Sequence, residues 1–210
     1  MASILISAFE HNIKEEFNTF SLETTFSPMN ATFRFLLFFL ISGTTFAQVW
    51  KSKKDEVLIS FFSETPIENI QATSKSGVSL IKGDSIIFSV RNTSFDFEKD
   101  LMEEHFNENY MESSKYPVST FKGKINEKVD LTKAGSYQVT CTGVLNMHGV
   151  AKTYTFKGTI TVKGEEVHLK SEFDAKLVDH KIDRPQIVMQ NIAEVIRVKV
   201  DAKYMVFKKP

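Results

Sequence analysis

The histidines and the single cysteine are the side chains of this sequence most able to do chemistry. None of the five histidines belongs to a close zinc-binding spacing such as HExxH. A single cysteine, Cys141, excludes an internal disulfide, a four-cysteine zinc site and a CxxC redox pair. Its alternation with neighbouring residues places Cys141 on the inward face of a strand, which predicts a small buried hydrophobe and not a nucleophile.

Acidic residues are dense around the segment 96–108, which raises the question of a calcium site. The segment lacks the DxDxDG loop and its turn glycine, so a solvated helix face is the better interpretation. The sequence also lacks a GxSxG elbow, a GxGxxG loop and a P-loop. These absences predict a protein without catalytic residues, without a bound metal and without a cofactor, hence a binding protein and not an enzyme.

His148 is the one histidine whose setting deserves separate treatment, because it lies in a predicted hairpin turn within the segment LNMHG. A lone histidine lacks the partners that acid–base work requires. We therefore expect it to shape the turn by hydrogen bonding to its own backbone neighbours. A role as proton donor to a bound molecule, or a weak contact to a metal or a polar head group, stays open as an alternative.

Charge and composition limit the classes of partner. The chain has 26 basic and 26 acidic side chains, so its formal net charge is zero. A neutral chain lacks the positive field that nucleic acids attract, and we expect no nucleic-acid partner. With 42% hydrophobic and 25% charged residues, the 210-residue chain has the composition of an ordinary globular domain.

The N-terminal region has the order of features found in a secretory signal peptide. Arg34 precedes the apolar run FLLFFLI at 35–41, and small residues follow up to Ala47. The run is far shorter than the roughly 20 residues that span a bilayer, so we expect no stable membrane span after cleavage. We predict an upstream extension at 1–28 with Met29 as the true start, a signal peptide at 29–47, and an exported domain at 48–210 that is periplasmic or secreted. A buried core helix is the alternative for the apolar run.

The exported part is dominated by alternation of apolar and polar residues with a period of two, which is typical of antiparallel strands with one wet face. A helical spacing interrupts this pattern within residues 99–112. About eight long strands that must avoid open edges predict an all-β fold, an antiparallel β-barrel with one short helix. The predicted strands are 57–62, 69–81, 85–95, 118–127, 136–148, 153–162, 167–177 and 196–204.

Strand parity also predicts which side chains face the lumen. An eight-stranded barrel is just wide enough to be filled by its own side chains or to enclose one small ligand, and alternation leaves both outcomes open. We expect the helix at 99–109 to act as a lid over one mouth. The predicted lumen and lid residues are Phe88, Val90, Phe95, Leu101, Phe106, Tyr110, Tyr137, Val139, Leu145, Phe156, Ile160, Phe173, Leu177, Val198 and Val200.

Three motifs, taken together with their order and spacing, resemble the YceI-like family. They are LMEEHFNENYM at 101–111, KYP at 115–117 with FKG at 121–123, and GVLNMHGVAK at 143–152. The resemblance covers about residues 50–207 and implies an extended, lipocalin-like antiparallel barrel in an exported bacterial protein. It further implies an apolar polyisoprenoid lipid, or a related isoprenoid quinone, as the ligand held in the lumen.

Two other classes of function stay open at the level of sequence. One is an enzyme that acts on a small molecule in the lumen with His148 in a polar role. The other is a protein-interaction module whose lumen is filled core. A homodimer is one arrangement that the sequence leaves open.

Overall fold

The computed structural model of the protein describes residues 48–65, 68–183 and 192–207. Within these residues strands predominate. A short α-helix, α1 (Asp100–His105), continues as a π-helical turn, Phe106–Tyr110, and two 3₁₀ turns occupy Asn92–Ser94 and Leu177–His180. The strands are β1 (Val49–Ser63), β2 (Ile70–Ser74), β3 (Val78–Lys82), β4 (Ser85–Arg91), β5 (Asp96–Phe97), β6 (Val118–Ile125), β7 (Gly135–Met147), β8 (Val150–Lys163), β9 (Glu166–Lys176) and β10 (Val195–Val206).

The strands close into a barrel. In spatial order the ring runs β1, β3, β4, β6, β7, β8, β9 and β10, and β10 pairs again with β1. All of these pairings are antiparallel. Closure removes the unpaired edges that an open sheet would expose. The predicted eight-stranded antiparallel barrel with one short helix is confirmed.

The segment predicted as one strand at 69–81 forms two strands with different roles. β3 belongs to the ring, whereas β2 pairs with the second half of β1 and then with β5. The break falls at Gly77, which passes directly over Val57, because a Cβ on Gly77 would come within 2.7 Å of a Val57 methyl carbon. A close approach of this kind is made by glycine alone, and alternation does not reveal it.

The longest hairpin joins β7 and β8 with a register that continues without a break from Gly135 and Val162 to Met147 and Val150. Its turn consists of two residues, His148 and Gly149, which both have left-handed backbone angles, φ 52° and 71°. Two successive positive φ values match the right-handed twist of the strands and give a tight hairpin. This turn therefore fixes the position of His148 at one end of the barrel.

The two ends of the barrel are packed differently. At the end formed by Trp50, Ile81, Val162, Val167 and Tyr204, the apolar side chains are between 0% and 3% exposed. We call the half of the barrel that contains these five residues the packed half. We call α1 and the π-helical turn together, residues 100–110, the helical segment. At the opposite end of the barrel, below the helical segment, a second buried cluster forms around Met111, Leu177, Ile182 and Ile196. Among the described residues, no helix combines the length and the apolar character needed to cross a membrane.

Candidate functional site: an apolar cavity

A cavity of about 200 Å³ occupies the half of the barrel away from the packed half. One water molecule needs about 10 to 15 Å³ of such space, so the cavity is large enough for an organic ligand. Its walls come from β1, β4, β6 to β10 and the helical segment. Of the predicted residues, these line the cavity: Phe88, Val90, Phe95, Phe106, Tyr110, Val139, Leu145, Phe156, Phe173, Leu177, Val198 and Val200.

Three predicted residues lie elsewhere, each for a different reason. Leu101 is 60% exposed, because it lies nine positions before Tyr110 in the helical segment and the two are on opposite faces. Ile160 faces inward, but it lies in the packed half and is fully buried there. Tyr137 is half-buried outside the lining, and its hydroxyl donates to the Lys133 carbonyl at 3.0 Å.

Several lining residues were missed by sequence reasoning. Some share the parity of recognised strands and could have been found from it, as Phe61 and Leu169 illustrate. Others come from segments without a strand pattern and carried no such signal. Examples of the second kind are Met111, Ile182 and Ile192.

Cys141 also lines the cavity, at a half-buried position on β7. Burial raises the pKa of its thiol to about 12, with a smaller contribution from the negative charge of Glu127. The thiolate is the nucleophilic form of cysteine, and a raised pKa keeps the group protonated at neutral pH. Cys141 therefore contributes apolar surface to the cavity.

Asn92, a polar residue of the lining, is already hydrogen-bonded. Asn92 is 1% exposed. Its amide nitrogen donates to the Tyr116 carbonyl at 2.6 Å, and its amide oxygen accepts from the Ser119 hydroxyl at 2.8 Å. A ligand in the cavity would gain little from hydrogen bonds and much from leaving water, so the site selects for apolar molecules.

An aromatic cluster anchors the helical segment over the end of the cavity. The ring of Phe106 lies 5.4 Å from that of Phe61, 5.7 Å from that of Phe95 and 5.1 Å from that of Phe97, measured between centroids. Contacts at these separations stabilise aromatic pairs beyond their buried area. The helical segment is thus held to the barrel at its centre.

His148 binds partners that are distant in sequence, so the expectation that it bonds to its own backbone neighbours was wrong. Nδ1 donates to the His180 carbonyl at 3.0 Å, and Nε2 lies 2.8 Å from a carboxylate oxygen of Glu112. Both ring nitrogens of His148 are thus engaged by segments other than its own turn. His148 lies outside the cavity lining and joins the β7–β8 turn to the end of the helical segment.

His180 is fully buried behind this turn, and sequence reasoning assigned it no role. Nδ1 donates to the Val150 carbonyl at 3.1 Å, and Nε2 lies 3.1 Å from the Tyr154 hydroxyl oxygen. Burial lowers the pKa of His180, against the opposing effects of the Val150 carbonyl and the charge of Asp179. The neutral imidazole is therefore the form that the folded protein favours.

Burial of His180 predicts a loss of stability in acid. The unfolded chain takes up this proton near the ordinary pKa of 6.5, whereas the folded protein takes it up only at lower pH. Below about pH 6.5 the unfolded state therefore binds more protons than the folded state, and the free energy of unfolding decreases as the pH is lowered. We expect His180→Gln to reduce this dependence of the free energy of unfolding on pH. Urea unfolding between about pH 7.5 and pH 5 measures it, because these values bracket the ordinary range of histidine pKa values. Parallel curves for the variant and the wild type would refute this role of His180.

Comparisons with known proteins agree with the barrel architecture. The model of the YceI-like domain matches residues 43–204. A comparison with curated protein sequences finds no significant match. The structure is similar to a polyisoprenoid binding domain from Saccharophagus degradans implicated in plant cell wall breakdown, with 13% identity, a TM-score of 0.65, and coverage of 75% of this chain and 98% of the other.

Two further solved structures share the fold. BcnA of Burkholderia cenocepacia has 18% identity and a TM-score of 0.62, with coverage of 72% of this chain and 98% of that one. The YCEI protein of Campylobacter jejuni has 18% identity and a TM-score of 0.56, with coverage of 70% of this chain and 90% of that one. Since the family model spans most of the sequence, from residue 43 to residue 204, this chain belongs to the YceI-like domain family.

Proposed function

We propose that the protein binds the apolar chain of a polyisoprenoid lipid or an isoprenoid quinone in its cavity, and carries or sequesters that lipid outside the cytoplasm. The observation that carries this proposal is the cavity of about 200 Å³ with its almost wholly apolar walls. Similarity to a protein described as a polyisoprenoid binding domain supports the choice of ligand class. The cavity argues against a filled core, and the position of His148 outside the lining gives no support to catalysis on a bound molecule.

The expected affinity follows from the area that a prenyl tail would bury. Each buried methylene contributes about 0.8 kcal/mol, so a five-carbon isoprene unit contributes about 4 kcal/mol. Association costs at least about 4 kcal/mol in lost freedom of motion. A tail of about three units should therefore bind with a dissociation constant near the micromolar range.

A titration tests the proposed function directly. We expect a ubiquinone with three isoprene units to displace a neutral naphthylamine fluorophore from the purified protein. Displacement should occur at about micromolar quinone, in line with the dissociation constant estimated above. The same benzoquinone ring without a tail should fail to displace it, because the polar ring gains nothing from apolar walls. Equal displacement by the two compounds would contradict binding through the tail.

The site of cleavage tests the proposed export. The signal-peptide pattern at 34–47 lies outside the described residues, and we expect cleavage after Ala47. The exported protein should then begin with Gln48, as measured by mass spectrometry of its N-terminal peptide. Ala47→Arg should block cleavage and accumulate a precursor, because the peptidase requires a small residue there. Mature protein that retains residues 29–47 would contradict this proposal.

A further inference from the structure

Strands β8 and β9 are neighbours in the barrel, but they are hydrogen-bonded over only part of their length. Their ladder starts at Lys163 and Glu166 and ends at Gly158 and Ser171. Residues 150–157 and 172–176 remain in strands because β7 and β10 pair with them on their other sides. The wall therefore contains a gap in the ladder between residues 150–157 and 172–176, which we call the seam.

Side chains close the seam in place of backbone hydrogen bonds. The Ser171 hydroxyl donates to the Lys157 carbonyl at 2.7 Å at one end, and His180 donates to the Val150 carbonyl at the other. Between them, the rings of Phe156 and Phe173 stack with centroids 3.8 Å apart. Side-chain rotation is faster and less costly than separation of a continuous ladder. The seam is thus the part of the wall that opens most readily.

A second hollow lies on the outer surface at one end of the seam. A shallow depression of about 480 Å³ lies on the outer surface across β7 to β10 and β1. The depression and the inner cavity share four lining residues, namely Lys157, Gly158, Ser171 and Val200. The depression reaches the seam at Lys157 and Glu172, and there one layer of residues separates it from the cavity, so a displacement at this end of the seam would connect the cavity to the exterior.

The end of the barrel under the helical segment is harder to open. Phe106 is packed among three other phenylalanine rings there. Beyond the π-helical turn, Glu112 is bound by His148, which is itself bound to the 3₁₀ turn through the His180 carbonyl. Lifting the helical segment would break these contacts together. Opening the seam breaks no backbone ladder, but it parts the rings of Phe156 and Phe173 and breaks the side-chain bonds that Ser171, His180 and Tyr154 make across it.

From this geometry we propose that the seam is a lateral port through which an apolar chain enters and leaves the cavity. The proposal rests on the proposed function, since a port needs a ligand. The outer depression receives the chain first, the rings of Phe156 and Phe173 part, and the tail slides in between β8 and β9. The helical segment then acts as a fixed cap on the end of the cavity, in contrast to the lid expected from the sequence.

The test is a cross-link across the seam. Continuing the register places Thr155 opposite Asp174, and both are exposed. We would build Thr155→Cys with Asp174→Cys in a Cys141→Ala background and join them with a short bismaleimide that contains a reducible bond. The matched control is Lys163→Cys with Glu166→Cys, which are both exposed, are already paired by the same ladder, and lie outside both hollows. Uptake of the naphthylamine fluorophore would be followed by stopped-flow fluorescence.

We expect the seam cross-link to slow uptake about 10-fold or more, with recovery after reduction, and the control cross-link to leave the rate unchanged. The amount bound at equilibrium should be equal in all of these variants. As a second variant, Phe173→Ala should raise the entry and exit rates together. Normal binding with an unchanged rate in the cross-linked seam would overturn the port alone. Failure of every variant to bind the fluorophore would overturn the proposed function, and the port with it.

Discussion

Replacement of Leu145 and Val198 by tryptophan should lower the affinity for a ubiquinone with three isoprene units by about 100-fold, or about 2.8 kcal/mol. Both side chains line the cavity, on β7 and β10. Two indole rings would occupy the space that the tail needs. Overpacking a filled core is destabilising, but these rings enter existing empty volume, so the thermal midpoint should change by only a few degrees.

The control for this variant uses neighbouring residues on the opposite face of the same strands. Val144 and Val195 are 42% and 40% exposed and lie outside the lining. Val144→Trp with Val195→Trp adds the same two rings to the outer surface and should leave the titration unchanged. If the inward and outward variants bound the quinone equally well, the ligand would not lie in this cavity.

Gly143→Ala should lower the free energy of unfolding by about 3 kcal/mol or more, the largest effect on stability that we expect from one methyl group. Gly143 faces Gly123 in the β6–β7 ladder. A Cβ on Gly143 would lie 2.3 Å from the Lys122 carbonyl oxygen and 2.4 Å from the Gly123 Cα. Both obstacles are backbone atoms, so relief requires separation of the two strands. Urea unfolding measures the loss.

Gly135→Ala provides the comparison, since it adds the same methyl group at the start of the same strand. There the nearest atoms belong to the ring of Tyr137, at 3.1 Å, and a side chain can move aside. We expect a change below about 1 kcal/mol, within the range of ordinary strand substitutions. Equal losses at positions 135 and 143 would show that strand propensity, and not the close approach of β6, controls the effect.

Strand parity predicted the inward face of each strand but not the depth at which a residue lies. Phe156 and Ile160 illustrate this limit, because they share a strand and a face. Phe156 lines the cavity, whereas Ile160 lies in the packed half. Which level of a barrel is filled depends on side chains from all the other strands, and no single strand contains that information. The alternation signal was therefore sufficient for the class of fold, an antiparallel barrel, and insufficient for the break between β2 and β3 and for the limits of the cavity.

Contacts between distant segments were the other information that the sequence did not reveal. The partners of His148 are Glu112 and the backbone of His180, which lie 36 and 32 residues away. The helical spacing within 99–112 predicted one short helix and placed Phe106 and Tyr110 correctly toward the barrel, but it did not predict the change to a π-helical turn at Phe106 or the exposure of Leu101. Which residues lie beneath the turn at His148 depended on the closure of the whole ring.

The most direct test of the central claim is native mass spectrometry of the protein purified from the envelope of its own cells, followed by organic extraction of the bound material. We predict a folded protein with an added mass, and an extract that contains an isoprenoid chain. Protein from the Leu145→Trp and Val198→Trp double variant should lack that mass. Wild-type protein that arrives empty and takes up no added prenyl quinone would contradict the claim that the cavity holds a lipid.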